Sequence, residues 1–391
     1  MSSPRRIYLD NAATTWPKPD AVYDAVDHYQ REIGAPNGRS HYREAQESNR
    51  IVERARRGVA ELIGADEPSH IIFGLNCSDM LNLAIRGVVR PGDHVVTTVC
   101  DHNSVLRPLR ALNEEANVEV TYVPCDGQGF VSPDDVRAAI RPNTRLVAVN
   151  HASNVTGAIQ PVAEIGRIVR ATNALYLVDA AQSLGHVPLD VQTIDVDLLA
   201  APGHKGLLGP LGTGVLYIRP GIEREVKPLR YGGTGTHSEE DRQPEELPQK
   251  YEPGNHNLVG LAGLAAATDF LRAETVDAIH AHHSRLGAQL IEGLLEIEGV
   301  TVHGPHSTTG RTSVVSITVD GYNPQELAAI LESTHRLQCR AGLHCAPRMH
   351  EALGTTAGGG TLRFSPGFAT TSEEIDKVIT ALQEVAAIAI K

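Results

Sequence analysis

Seven short apolar runs constrain this chain more than any other feature. They lie at residues 70–73, 94–99, 118–123, 146–149, 175–178, 198–200 and 215–218, with helical patterns between most of them. The stretch 44–63 sets Val52, Ala55, Val59 and Leu62 on one helical stripe, and Gly64 follows as a stop. Residues 163–172 repeat the pattern. Strands alternating with helices predict an α/β fold with a mainly parallel sheet covered on both faces. Ligands of such sheets sit beyond the carboxyl ends of the strands. Four polar clusters fall there: Asp101-His102-Asn103, residues 151–154, residues 179–182, and His204-Lys205.

The character changes after Tyr217. Residues 232–253 are rich in Gly, Glu, Gln and Pro and read as a long surface loop. Helical stretches at 258–271 and 276–297, a strand at 314–319, a helix at 324–333 and a last helix from Ser372 compose a smaller α+β domain. The expected division is a large domain over 18–258 and a small domain made of 1–17 and 259–391. A length of 391 residues suits two or three domains. The 47 acids outnumber 35 Lys and Arg, and no basic run occurs, which argues against nucleic acid and anionic membranes as partners. No run approaches 18 apolar residues and residues 1–10 lack an apolar leader segment, so neither a membrane span nor a signal peptide is expected. The five cysteines (77, 100, 125, 339 and 345) are odd in number and scattered; free thiols point to a reducing compartment, most simply the cytoplasm.

Lys205 follows an apolar strand in a Gly-rich turn. Alone, such a lysine is a surface charge; inside an α/β crevice it would be desolvated, its pKa would fall, and it would suit carbonyl chemistry. Asp179 ends the run 175–178 and reads either as a cap or as a buried partner. Together the two meet the needs of pyridoxal 5′-phosphate: an amine for the aldehyde and a carboxylate that keeps the ring nitrogen protonated. Gln182 would lie near a phenolic oxygen, and Asn154 is a turn former or a donor to the same atom. His102 is a helix-start residue or a ring stacked on the cofactor. Asn76-Cys77-Ser78-Asp79, ahead of a helix, offers N–H groups and a hydroxyl to a phosphate, or simply caps. Cys345 sits in a turn, where Arg340 and His344 would favour its thiolate; core packing is the plainer reading. Cys339, six residues earlier, is a resolving thiol or a core residue. Arg363, flanked by Leu362 and Phe364, suits a carboxylate clamp. No Cys/His pair has finger-type spacing and His280, His282 and His283 read as a solvated helix face, so no metal is expected.

The ordered set resembles the class V aminotransferase family of fold-type I pyridoxal-phosphate enzymes, nearest to cysteine desulfurases and selenocysteine lyases with a short catalytic loop. It runs from Tyr8-Leu9-Asp10-Asn11-Ala12-Ala13-Thr14-Thr15 through Asp101-His102, Asn154, Asp179-Ala180-Ala181-Gln182, Gly203-His204-Lys205, Tyr251-Glu252-Pro253-Gly254 and Arg340-Ala341-Gly342-Leu343-His344-Cys345-Ala346 to Leu362-Arg363. The resemblance implies that Lys205 holds the cofactor, Asp179 pairs its ring nitrogen, Gln182 and Asn154 contact its ring oxygen, and His102 stacks on it. Cys77, Ser78 and Asn255 belong to its phosphate end, and His204 also contacts the cofactor. Arg363, with Asn11, Ala12, Asn154 and Arg340, takes the substrate, L-cysteine or L-selenocysteine, and Cys345 accepts its sulfur as a persulfide while alanine leaves. A homodimer is implied, Gly254-Asn255 reaching the neighbour's phosphate, and so is a sulfur-acceptor protein. Rival activities of the same residue set are a selenocysteine lyase, a cysteine or cystine C–S lyase, and an aminotransferase. Four departures from the family pattern stand out: Pro202 replaces a Ser, Asn76-Cys77-Ser78 replaces Gly-Thr-Thr, Asn255 replaces a Thr, and Leu343 replaces a second His.

Overall fold

The computed structural model describes residues 6–38, 40–236, 239–307 and 309–389. Residues 1–5 of the segment expected in the small domain lie outside them. After a short strand β1 (Ile7–Tyr8) come helices α1 (Asp20–His28) and α2 (Arg43–Leu62). Then β2 (Ile71–Gly74), α3 (Cys77–Val88), β3 (His94–Thr98), α4 (Asn103–Ala116), β4 (Glu119–Val123), α5 (Pro133–Ala139), β5 (Thr144–Asn150), α6 (Val162–Arg170), β6 (Leu175–Asp179), β7 (Leu198–Pro202) and β8 (Gly214–Ile218) build the large domain. Its sheet has the order β2-β8-β7-β6-β5-β3-β4, parallel except where β8 runs against both neighbours.

The strands are buried on both faces because successive side chains point opposite ways. Phe73, Val147, Val149, Tyr176, Val178 and Leu199 join one core, with residues of α2 and α6. Ile72, Leu146, Ala148, Leu175, Leu177 and Leu198 join the other, with residues of α3 and α4. Apolar residues at every strand position are what a sheet covered by helices on both sides requires.

Beyond β8, no helix or strand occurs among the described residues of 225–257, in keeping with the expected loop. Then follow α7 (Leu258–Glu274), α8 (Val276–Leu295), β9 (Val300–His303), β10 (Val315–Val319), α9 (Pro324–His335), β11 (Leu337–Gln338), β12 (Arg340–Gly342), α10 (Pro347–Ala352), β13 (Thr361–Phe364) and α11 (Ser372–Ala389). A four-stranded antiparallel sheet, β12-β13-β10-β9, shares a separate core with α8, α9 and α11. β1 pairs with β11, which stitches the start of the chain to this small domain.

Two expectations need correction. α7 packs on α1 and α2, and Leu258, Leu261, Leu264 and Leu271 enter the large-domain core, so the division drawn at residue 258 moves to Thr275. His283 is not solvated: it is buried, edge-on to the His186 ring at 4.8 Å between centroids, because α8 is covered on that side. No helix among the described residues is long and apolar enough to cross a membrane.

A buried ion pair fixes the start of the sheet. Arg56 on α2 grips Glu252 with two hydrogen bonds, Nη1–Oε1 at 2.8 Å and Nη2–Oε2 at 2.7 Å, and also donates to the Ile71 carbonyl. Glu252 further accepts from the Phe73 amide and from His256. Burial opposes the Glu252 charge, but Arg56 and His256 outweigh it and hold the carboxyl at about 2. A depressed carboxyl stabilises the fold fully above its ordinary value of 4.5 and loses that contribution as pH falls towards 2. Glu252→Gln strands a buried guanidinium and is expected to cost about 3–5 kcal/mol at pH 7. Urea unfolding at pH 7 and pH 3 measures this; the gap between variant and parent should narrow in acid. A pH 7 gap below about 1 kcal/mol, the worth of an exposed pair, counts against the assignment.

Candidate active site

β7, β6, β5 and β3 are neighbours and parallel, so their carboxyl ends share one edge of the sheet. All four polar clusters therefore meet. They line a cavity of about 190 Å³ with Asn76, Cys77, Ser78, His102, Asn150, Asn154, Asp179, Gln182, His204 and Lys205 in its wall.

Desolvation in this cavity lowers the Lys205 amine from its ordinary value, against the pull of the Asp179 carboxylate. Desolvation raises the Asp179 carboxyl, opposed by the Ala181 N–H (2.9 Å), by Lys205 and by the Cys77 thiol (3.8 Å). Burial holds Cys77 itself well above the usual thiol range. It acts as a neutral wall and hydrogen-bond donor.

His102 caps α4. Its Nδ1 accepts from the Ser104 amide at 3.0 Å, so a neutral ring carries its proton on Nε2. Burial, then Lys205 and Arg340, lower it to about 4. Ser78, in the first turn of α3, shares a 2.6 Å contact with Ser104. The first-turn N–H groups of α3 have no partner within the helix, as at every helix start. His204 is lowered to about 4 by burial and Lys205, and its Nδ1 is buried without a partner.

A clamp from the N-terminal segment holds this turn. The His204 carbonyl accepts from the Thr15 amide (3.0 Å), Thr14 Oγ1 (3.2 Å) and Lys18 Nζ (2.8 Å), and Thr15 Oγ1 donates to the Lys205 carbonyl (2.8 Å). Sequence reasoning missed the clamp, since Thr14 and Thr15 stand 190 residues away from what they touch.

The small domain supplies the other wall. Arg363 on β13 is fully buried; Nη2 donates to Asp10 Oδ1 (2.7 Å) and Nη1 to the Asn154 carbonyl (3.1 Å), while Nε has no partner. Asn11 Nδ2 donates to the Ser365 carbonyl (2.9 Å), and the Ala12 amide to Ser365 Oγ (3.0 Å). Gln182 Nε2 donates to the Ala12 carbonyl (2.9 Å) and Asn154 Nδ2 to the His344 carbonyl (2.6 Å). The side-chain amides of Gln182 and Asn154 each keep one N–H beyond these bonds.

Cys345 lies on the turn between β12 and α10. Both His344 (φ 47°) and Cys345 (φ 59°) are left-handed, a costly conformation for residues with a Cβ. The turn is pinned through its backbone: the Asn103 amide donates to the Cys345 carbonyl (2.7 Å), and Ala346 N–H to Leu343 (2.9 Å). Arg340 Nη2 approaches Sγ at 3.4 Å. The expected help from His344 fails. Burial lowers that imidazole to about 2, so it is uncharged, and it turns to Thr361 Oγ1 (2.9 Å) rather than to the thiol. Cys339 is pushed up to about 12 by burial, and all five thiols are free. Asn255 is exposed and lies outside the cavity, in a hollow shared with Leu75 and Arg230.

A lysine and an aspartate at adjacent parallel strand ends, closed by a small domain that brings a buried arginine, define a fold-type I transferase. The chain belongs to the aminotransferase class-V family, which matches residues 7–378. It is 39% identical over 387 residues to a probable cysteine desulfurase of Methanothermobacter thermautotrophicus, covering 97% of this chain and 94% of the relative. It is 33% identical to the cysteine desulfurase IscS of Methanosarcina thermophila, covering 97% and 92%. Among solved structures, the apo cysteine desulfurase of Thermococcus onnurineus superposes with a TM-score of 0.92 at 34% identity, over 98% of this chain and 95% of that one. Family membership implies pyridoxal phosphate as cofactor.

Proposed function

We propose that this chain is a pyridoxal-phosphate-dependent cysteine desulfurase, which moves the sulfur of L-cysteine to Cys345 as a persulfide and releases L-alanine. One observation carries the reading: the Cys345 thiol sits on a strained, pinned turn beside Arg340, and that turn is tied to Asn154 and to the helix start of His102. The relatives' names support it.

The cavity fits the cofactor. Asp179 is a buried carboxylate near an amine, His204 has a buried ring nitrogen without a partner, and a helix start with Ser78 is ready for an anion. Lys205 would hold the aldehyde carbon, Asp179 the ring nitrogen, and Gln182 and Asn154 the ring oxygen; His102 would lie beside the ring. Ser78, the Cys77 amide and His204 would take the phosphate. The bound cofactor supplies an electron sink.

The remaining work falls to the chain's own groups. Arg363, helped by Arg340, binds the substrate carboxylate. The Lys205 amine, lowered by burial, holds the proton taken from the substrate Cα. The Cys345 thiolate attacks the substrate Sγ; an S–S bond forms as Cβ–Sγ breaks, and the sulfur stays on the protein. Splitting transfer from delivery lets an external acceptor take the sulfur later. Leu343, exposed next to Cys345, supports contact with such a protein.

Asn255 lies exposed outside its own cavity; Leu75 is an exposed apolar side chain in the same hollow, and the exposed Leu211, Leu229 and Tyr231 adjoin in sequence Gly212 and Arg230, which line it. They support a homodimer in which Asn255 reaches the neighbour's phosphate. Five unpaired thiols support a reducing, cytoplasmic setting. The test is direct: pure protein is incubated with L-cysteine, and alanine and the mass of the Cys345 peptide are measured. Equimolar alanine and a gain of one sulfur are expected; an unmodified peptide refutes the persulfide.

A further inference from the structure

Resting on that reading of the site, we propose that Asp10 is an internal competitor for the carboxylate that Arg363 binds, and that it restricts the site to amino acids with a single carboxylate.

The donor count shows how. Arg363 has five N–H groups. Nη2 gives one to Asp10 Oδ1 and Nη1 gives one to the Asn154 carbonyl, while the Nε N–H is buried and unpaired. Three N–H groups remain, enough for the two parallel bonds of a carboxylate. A guest can therefore enter without expelling Asp10, but two carboxylates then share one guanidinium.

The backbone of Asp10 is held beside the contact. A bridge to Ser365 fixes its backbone, and its carbonyl accepts from the amides of Ala13 and Thr14. Its side chain stays about a quarter exposed, while that of Arg363 has no exposure at all.

The charge balance supplies the selectivity. Arg340 has no carboxylate partner among the described residues, and it acts on Arg363 as a like charge; Asp10 is the anion that offsets it. Apart from the Cys345 thiol beside Arg340, the charged groups here are Arg363, Arg340 and Asp10, which together carry one net positive charge. One guest carboxylate neutralises the trio. A second carboxylate on the same guest leaves a buried excess of negative charge, which is costly. Without Asp10 the trio becomes a pair of guanidinium groups that accepts dianions.

The probes are propionate and succinate, added to the cofactor-loaded protein and followed by titration calorimetry. Asp10→Asn is expected to tighten propionate roughly fivefold, the worth of one partly exposed charge pair, and to tighten succinate more than propionate. Asp10→Glu keeps the charge and should stay near the parent. Asp10→Ser removes the charge with a different side chain and should repeat the sign of Asp10→Asn even if the amide variant does not fold. General damage to the site would weaken both anions, so tightening is the diagnostic direction. Unchanged or weaker propionate binding in the uncharged variants overturns the proposal. Because propionate lacks both amine and sulfur, this result stands apart from the test of desulfuration: loss of alanine formation from L-cysteine would sink the function, not the role of Asp10.

Discussion

Lys205→Ala is expected to yield a folded protein without the visible absorption band of the bound cofactor and with activity lower by at least about 10⁴-fold. General acid–base catalysis alone accounts for about 10² to 10⁴, and in the proposed function Lys205 is also the covalent anchor. Folding should survive because the turn is held through the carbonyls of His204 and Lys205, which an alanine keeps. The reason that this lysine and no surface lysine is suited to the task is its surroundings. Burial lowers its amine, so a larger share is neutral and nucleophilic near pH 7, and the Asp179 carboxylate keeps the shift in check. Absorption spectra of the parent and variant, each incubated with pyridoxal phosphate and desalted, settle the matter; an unchanged band in the variant removes Lys205 from the anchor role.

The second large effect belongs to Cys345. Cys345→Ser should abolish desulfuration of L-cysteine, by on the order of 10³ or more, as loss of a nucleophile does. Cofactor binding and exchange of the substrate Cα proton with solvent deuterium should persist, because Lys205 and Arg363 are untouched. A serine keeps the Asn103 anchor, which runs through the backbone, so a loss of activity reports on the sulfur and not on the turn. Two outcomes redirect the assignment. Turnover of L-selenocysteine that survives the substitution points to a selenocysteine lyase, since selenium leaves without help from a thiol. Release of free sulfide that survives it points to a C–S lyase.

The sheet was legible because its signal is local. A strand buried on both faces is apolar at every position, so the runs at 146–149 and 175–178 announced β5 and β6 within one or two residues. Polar residues after such runs, Asp179 at once and Lys205 a short turn later, could be placed at strand ends by chain order alone. The short strands β9, β12 and β13 of the small sheet escaped notice. They are three or four residues long, and in β12 Arg340 and Gly342 flank the only apolar side chain. The helix α7 was assigned to the wrong domain for a related reason: its apolar surface extends almost all round, so nothing in the pattern tells which core it enters.

Roles within the site divided in the same way. Residue type determined what Lys205, Asp179, Cys345 and Arg363 are able to do, since an amine, a carboxylate, a thiol and a planar cation each have few chemistries. Neighbours in sequence proved a poor guide to neighbours in space: His344, adjacent to Cys345, turns away to Thr361, whereas Arg340, five residues back, reaches the sulfur.

By itself, the order of apolar and polar residues determined an open parallel sheet with its chemistry at one edge, because the continuous apolar runs of doubly covered strands and the stops between them are properties of the local chain. Only the tertiary structure decided that Asp10 lies on Arg363, that Thr14, Thr15 and Lys18 clamp the turn of Lys205, and that Arg56 and Glu252 pair in the interior. Those contacts join segments as much as 353 residues apart. Such pairings depend on how segments far apart in the chain pack together, which no local pattern encodes.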